Sequence, residues 1–272
     1  LTMERLRWTP LRQAPRIGDY VGVRDPLLVK RRGLFIAESR LVVRRLLDAK
    51  RFRVKSLLLH DASASGLADL IAGDIAGVDV FVAPIEVIRA VSGYNLHRGC
   101  LAVAERPTNR AFDDVLAASR FVVVLERISD ADNIGSIFRS AEALGADAIL
   151  LSPGCCDPFY RKAVRTSAGA TLMVPFAEAD PWPDALATLR ARGFTVAALT
   201  PASDAVDIGA FVTTPSAQGK VALLLGTEGQ GLTPEAFAQA DVRLRIPMTG
   251  AADSLNVGTA AGIAIHRLAA VR

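Results

Sequence analysis

Three polar, glycine-punctuated segments in the second half of the chain hold the side chains best suited to chemistry, and each follows an apolar run. The first runs from Glu126 to Arg139. Asp132 or Asn133 is placed to cap a helix there, and Arg139 falls off the apolar face made by Ile134, Ile137, Phe138 and Ala141. Taken alone, this segment reads as a capped helix with one solvated arginine. The second is Gly226-Thr227-Glu228-Gly229-Gln230-Gly231-Leu232, a turn that exposes backbone around one carboxylate, Glu228, which reads as buried. It approaches the phosphate-loop pattern GxxxxGK, but Leu232 occupies the lysine position. Phosphate charge would go uncompensated, which excludes a nucleoside triphosphatase of that kind. No GxGxxG dinucleotide fingerprint occurs anywhere in the chain. The third segment, Ile246 to Gly262, leads through Ser254, Leu255 and Asn256 into a helix rich in small residues, with Asp253 or Ser254 as its cap. Such a helix packs closely, either inside its own core or against a second subunit.

These segments need a scaffold, and the apolar pattern supplies one. Strands are expected at Phe121–Leu125, Ala148–Leu151, Leu172–Pro175, Phe194–Leu199, Val221–Leu225 and Val242–Ile246. Helices are expected at Ile134–Leu144, Trp182–Arg192 and Ser254–Leu268, with Gly145 as a helix stop. Continuous apolar strands separated by helices predict an α/β fold with a parallel sheet covered on both faces. Ligands of such sheets bind beyond the carboxyl ends of the strands, where the three segments lie. The first half alternates more weakly. It has strand signals at Leu34–Ala37, Val54–Leu59, Val78–Val82 and Leu101–Ala104, and helical signals at Leu41–Lys50, Ser65–Ala72 and Ile85–Ser92. It predicts a smaller α/β domain over residues 1–108. Pro107, Thr108 and Asn109 form a linker, and the main domain occupies 119–272.

The chain of 272 residues has a net charge of +4, unevenly spread. Residues 1–110 hold 19 Lys and Arg against 11 Asp and Glu, a net of +8; the remainder holds 13 against 17, a net of −4. Ten cations fall between Lys30 and Lys55, offset only by Glu38 and Asp48. A polyanion partner for the first half follows, with Lys30, Arg31, Arg32, Arg44, Arg45, Arg51 and Arg53 as candidate contacts and His97-Arg98 as a further one. Few aromatics occur there, which favours shape and phosphate recognition over base stacking. No apolar run is long enough for a membrane span, and residues 1–8 carry charges where a signal peptide needs an apolar stretch. Cys100, Cys155 and Cys156, with His60, His97 and His266, show neither disulfide nor metal spacing. A cytoplasmic protein without a metal site is expected.

Together, the three segments resemble the motifs of the SpoU (TrmH-like) family of RNA 2′-O-ribose methyltransferases in the SPOUT superfamily. Asn133, Gly135 and Arg139 match the first motif, Gly226 to Leu232 the second, and Ile246 to Val257 the third. Val164 to Ala170 is also similar to the family's intermediate stretch. The resemblance covers about residues 119–272 and implies a parallel sheet with a C-terminal trefoil knot, preceded by a ribosomal-protein-like substrate-binding domain. It further implies S-adenosyl-L-methionine as cofactor, held largely by backbone at Thr200, Gly226, Ile246 and Leu255. Glycine at those loops would let the ligand approach. A structured RNA substrate and a homodimer, with the helix after Ser254 near the subunit contact, are implied as well.

In such enzymes the first-motif arginine, here Arg139, serves the ribose hydroxyl. A guanidinium rarely gives up its proton, so orienting a phosphate and stabilising an alkoxide suits it better than general base catalysis. By the same resemblance Asn133 would position Arg139 or the ribose, Glu228 would organise the pocket and Arg139, and Ser254 and Asn256 would complete the hydrogen bonding. The sulfonium is already activated, so no metal is required. Ribosomal RNA is favoured over transfer RNA. An antibiotic-resistance methylase of large-subunit RNA shares these motifs. A ribosome-assembly factor that has lost catalysis is a reading of another class, opposed by the intact set Asn133, Arg139, Glu228, Ser254 and Asn256.

Overall fold

The computed structural model describes residues 17–21, 25–71, 77–92, 99–250 and 253–271. The chain divides into two units, one comprising residues up to Thr108 plus Phe159–Leu172, the other Asn109–Pro158 plus Met173 onward. His97, Arg98 and residues 1–8 lie outside the described residues.

In the first unit, β1 (Leu34–Glu38), α1 (Arg40–Asp48), β2 (Val54–Leu59), α2 (Asp61–Ser65), α3 (Ala68–Ile71), β3 (Asp79–Val82), α4 (Ile85–Ser92) and β4 (Cys100–Glu105) follow in order. The sheet runs β1-β4-β2-β3, with β4 antiparallel to both neighbours and β3 parallel to β2. Alternate residues point to opposite faces. One face packs Leu34, Ile36, Leu58, Leu101 and Val103 with Tyr20, Leu28, Phe81 and Ile88. On β1, Phe35 faces the other way and meets Phe159 at 4.9 Å and Phe52 at 5.8 Å between ring centroids.

Phe159 belongs to a segment far away in sequence. That segment, with α7 (Arg161–Thr166) and a 3-10 turn at Ala170–Leu172, is bound into the first unit by packing and polar contacts. Arg161 pairs with Glu38 at 2.7 Å, both largely shielded. Arg45 donates to the Ala168 carbonyl at 3.0 Å and Arg51 to the Leu172 carbonyl. An aromatic cluster of this kind contributes about 0.5–1.5 kcal/mol per ring pair beyond area burial. The helical signal at Ser65–Ala72 resolves into two short helices separated at Gly66 and Leu67, and Ala72 lies outside the described residues. A Cβ on Gly66 would stand 2.7 Å from the Arg40 guanidinium.

The second unit contains α5 (Phe112–Ala117), β5 (Phe121–Leu125), α6 (Ala131–Leu144), β6 (Ala148–Leu151), β7 (Phe176–Glu178), α8 (Asp184–Ala191) and β8 (Phe194–Leu199). There follow β9 (Val206–Asp207), α9 (Ile208–Phe211), α10 (Pro215–Gln218), β10 (Lys220–Leu225), α11 (Pro234–Ala238), β11 (Val242–Arg245) and α12 (Val257–Ala269). All neighbours in the sheet β7-β6-β5-β10-β8-β11-β9 are parallel. This is the α/β fold with a parallel sheet that the apolar runs predict. The central strands are buried along their length, and Val122, Val124, Leu150, Val196 and Leu224 join Leu186 and Leu189 in one core cluster. After β7 the chain crosses to the opposite side of β5 to form β8, and β10 inserts between β5 and β8.

Three boundaries differ from the sequence pattern. The strand expected at Leu172–Pro175 is displaced to Phe176–Glu178, because Pro175 lacks an N–H and offers the ladder only its carbonyl, to Ile149. The cap of α6 is Asp130, whose carboxylate accepts from the Asp132 and Asn133 N–H groups, so those two residues lie inside the first turn. The cap of α12 is Asn256, which accepts from Gly258 and Thr259, rather than Ser254 or Asp253. Gly145 ends α6 in the left-handed region, with φ +84°.

Candidate functional site

Three adjacent parallel strands, β10, β8 and β11, end side by side, and the loops that leave them enclose a cavity of about 450 Å³. From β8 come Leu199, Thr200 and Pro201; from β10 come Leu225 through Gly229, with Gly231; and from β11 come Ile246 and Met248. Ser254, Leu255, Asn256, Val257 and Ala260, leading into α12, close the lining. The volume lies within the roughly 300–1,000 Å³ of small-molecule sites. Its walls are mostly aliphatic, with exposed backbone at the glycines and one carboxylate, Glu228.

The turn after β10 folds back tightly. Thr227 bridges Gly231, whose N–H donates to the Thr227 carbonyl at 2.9 Å. A Cβ on Gly226 would stand 2.3 Å from the Gly231 carbonyl carbon and 2.4 Å from the Leu232 nitrogen. Gly226 is therefore required by the loop's own backbone, a constraint present without any ligand and different from the ligand approach that the resemblance implies.

Beside the cavity, three polar side chains from three distant segments meet. Asn133, nearly buried in the first turn of α6, donates its Nδ2 to Glu228 Oε1 at 3.1 Å. Asn256 Nδ2 donates to Glu228 Oε1 at 2.5 Å and to Asn133 Oδ1 at 3.0 Å. With its Oδ1, Asn256 caps α12. The capping geometry thus fixes the rotamer that reaches Glu228. Glu228 itself is exposed rather than buried; the glycines around it leave its solvent side uncovered.

The buried carboxylate of this region is Glu126, 1% exposed. It accepts from Trp182 Nε1 at 2.8 Å, Thr233 N at 2.8 Å and Thr233 Oγ1 at 2.7 Å. Sequence reasoning passed over it. The available signal was a carboxylate directly following five consecutive strand residues that are all apolar, where burial demands a full set of donors.

Of the residues singled out in the sequence, Thr200, Gly226, Ile246, Leu255, Glu228, Ser254 and Asn256 line one cavity, and Asn133 is tied to it by hydrogen bonds. Arg139 is not brought there. It is exposed on α6, is not part of the lining, and has no hydrogen bond or ion pair among the described residues. Glu228 is bonded to Asn133 and Asn256, not to Arg139. The small residues of α12 are used within the chain: a Cβ on Gly258 would meet Ser136 Oγ at 2.8 Å, and one on Gly262 would meet Ser140 Oγ at 3.3 Å. They let α12 lie against α6.

The basic residues of the first unit divide into two groups. Lys30 and Arg31 are exposed, and Arg53 is 75% exposed with Glu105 at 3.5 Å. Arg32 pairs with Asp19. Arg44 grips Asp69 at 2.7 and 3.0 Å and the Gly66 carbonyl at 2.9 Å, and this hydrogen bonding holds the Asp69 carboxyl below its ordinary range. Arg45 and Arg51 serve the carbonyls of Ala168 and Leu172 described above. Among the described residues, no group of His, Cys, Asp and Glu side chains could hold a metal ion, and no helix is long and apolar enough to cross a membrane.

Known proteins share both the sequence and this architecture. An uncharacterized tRNA/rRNA methyltransferase of Mycobacterium bovis is 42% identical over 256 residues, spanning 93% of this chain and 88% of that protein. The 23S rRNA (guanosine(2553)-2′-O)-methyltransferase of Bacillus subtilis is 28% identical over 216 residues, spanning 79% and 80%. The crystal structure of an AdoMet-bound rRNA methyltransferase from Sinorhizobium meliloti superposes with a TM-score of 0.75 at 26% identity, covering 93% of this chain and 94% of that one. The family model described as SpoU rRNA methylase matches residues 120–266, which include the strand-end loops and the Asn133–Glu228–Asn256 contact. The chain belongs to the SpoU rRNA methylase family.

Proposed function

We propose that the protein transfers a methyl group from S-adenosylmethionine to a ribose 2′-hydroxyl of structured RNA, ribosomal RNA in preference to transfer RNA. The observation that carries this reading is the cavity at the ends of β8, β10 and β11, lined by exposed loop backbone, aliphatic side chains and one carboxylate. Such a lining suits the cofactor: apolar walls for the adenine, backbone groups for its polar edge, and Glu228 as the charge complement of a sulfonium. Thr200, Gly226, Ile246 and Leu255 would hold it, and the AdoMet-bound S. meliloti relative supports the assignment. When bound, the cofactor supplies a methyl group already activated on sulfur. The named activity of the B. subtilis relative supports the 2′-hydroxyl of ribosomal RNA as acceptor.

The chain's own residues then have distinct tasks. Asn133 and Asn256 orient the Glu228 carboxylate, and Ser254 offers a hydroxyl at the cavity wall. Arg139, exposed and outside the cavity lining, is assigned to hold an RNA phosphate at the cavity's edge; the ribose hydroxyl's proton passes to that phosphate or to solvent as the methyl is transferred, and the guanidinium stabilises the charge that develops. In the first unit, the exposed Lys30, Arg31 and Arg53 are the cations from which phosphate contact starts, while Arg44 is held by Asp69 and the Gly66 carbonyl and Arg45 and Arg51 by backbone carbonyls. The reading also includes a C-terminal trefoil knot, which membership of the SpoU family supports. It includes a homodimer too, for which α12 retains an exposed flank with Ile263 37% accessible.

The test is transfer of labelled methyl from S-adenosylmethionine to ribosomal and transfer RNA fractions, with the modified ribose mapped. Arg139→Ala is expected to abolish transfer and retain cofactor binding. Normal turnover by that variant removes Arg139 from the mechanism. Absence of transfer by the parent protein to every fraction, with RNA binding retained, favours an assembly factor instead.

A further inference from the structure

The Gly226–Leu232 loop is strung between Leu225 and Thr233, and one residue grips both ends. The Glu126 N–H donates to the Leu225 carbonyl at 2.8 Å. Its carboxylate receives the Thr233 N–H at 2.8 Å and the Thr233 hydroxyl at 2.7 Å. Thr233 is itself the cap of α11, so the far end of the loop and the start of that helix are set together. Trp182 Nε1 fixes the remaining freedom of the carboxylate at 2.8 Å. Desolvating a carboxylate offsets much of what its hydrogen bonds return, so its net contribution to stability is modest, although removing it alone would leave three donors without an acceptor. What it imposes is geometry: two oxygens meeting three donors admit one arrangement.

We propose that Glu126 is the positioning residue that sets the shape of the cofactor loop, acting through Thr233 without touching the ligand. For its ligand readout the proposal rests on the S-adenosylmethionine reading above. Glu126→Gln is the discriminating change. Either orientation of the new amide turns its NH₂ toward a group that can only donate, the Trp182 indole or the Thr233 backbone, so the grip is lost at nearly constant volume.

Two measurements on the full chain test this. Amide hydrogen exchange of residues 226–232 in the ligand-free protein is expected to accelerate in Glu126→Gln. Calorimetric affinity for S-adenosylmethionine is expected to fall about tenfold, the size of one lost charge-assisted hydrogen bond. A core variant of comparable thermal destabilisation, Leu186→Ala, is expected to change neither. Loop exchange like that of the parent protein, or loop exchange and affinity changed equally in Leu186→Ala, overturns the proposal and leaves Glu126 a purely structural residue. If the parent protein does not bind S-adenosylmethionine, the functional reading fails, and the exchange comparison still decides the role of Glu126. Should Glu126→Gln not fold, Thr233→Ala removes the hydroxyl contact from the other side and is judged by the same two measurements.

Discussion

Substituting Gly226 by alanine separates steric closure of the loop from backbone strain. The added Cβ would meet Gly231 C at 2.3 Å, Leu232 N at 2.4 Å and Gly231 O at 2.5 Å. Comfortable carbon contacts lie near 3.5–4.0 Å, so the overlap is about 1 Å and the obstacles are backbone atoms that no rotamer change can clear. The loop must open, which breaks the Thr227–Gly231 bridge. Overpacking of this kind costs about 1–3 kcal/mol, which corresponds to about 2–12 °C in Tm for a chain of this size. Gly145→Ala is the control: its φ is +84° with nothing within 4 Å of the new Cβ, so it incurs about 1–2 kcal/mol of left-handed strain and no clash. Thermal melts are expected to show both losses. Calorimetry with S-adenosylmethionine is expected to show lost binding in Gly226→Ala alone. Wild-type affinity in Gly226→Ala, or equal loss in both variants, refutes the argument that loop closure shapes the pocket.

Further outcomes follow from the network and from burial. Asn256→Asp keeps the α12 cap but replaces both donations to Glu228 and Asn133 with a second carboxylate facing Glu228; methyl transfer is expected to collapse and Tm to fall at neutral pH, recovering partly at acid pH where the repulsion is relieved. Asn256→Ala is expected to lose the cap as well, about 1 kcal/mol, visible as a lower Tm. Burial pushes the Cys100 thiol up to about 12, against a smaller opposing pull from Arg40. Its folded value thus exceeds the unfolded one, and its contribution is intact below about pH 8.5 and lost as pH rises toward 12. Over that window the unfolded chain releases a proton that the folded chain retains, a slope of about 1.4 kcal/mol per pH unit. Urea titrations between pH 8 and 10.5 are expected to show a shallower decline for Cys100→Ala than for the parent; parallel curves refute the assignment.

The sequence by itself determined what is local. Apolar runs placed the inner strands β5, β6, β8 and β10, because a strand buried on both faces must be apolar along most of its length, whereas the edge strand expected at Leu172–Pro175 moved to Phe176–Glu178 and the two-residue β9 left no apolar signal. Asx-type caps and Gly145 placed the ends of α6 and α12 to within a few residues, and three loops at strand ends marked the chemistry. The tertiary structure decided everything that depends on partners far apart in the chain. It brought Asn133 to Asn256 across 123 positions, exposed Glu228 and buried Glu126, turned the small face of α12 onto Ser136 and Ser140, and seated Phe159–Leu172 beside β1. It also engaged Arg44, Arg45 and Arg51 with specific carbonyls and carboxylates while leaving Lys30 and Arg31 exposed. The physical reason is the same in each case: periodicity and capping depend on neighbours within a turn or two, whereas burial, hydrogen-bond partners and close approach depend on which distant surface arrives, and no local pattern encodes that.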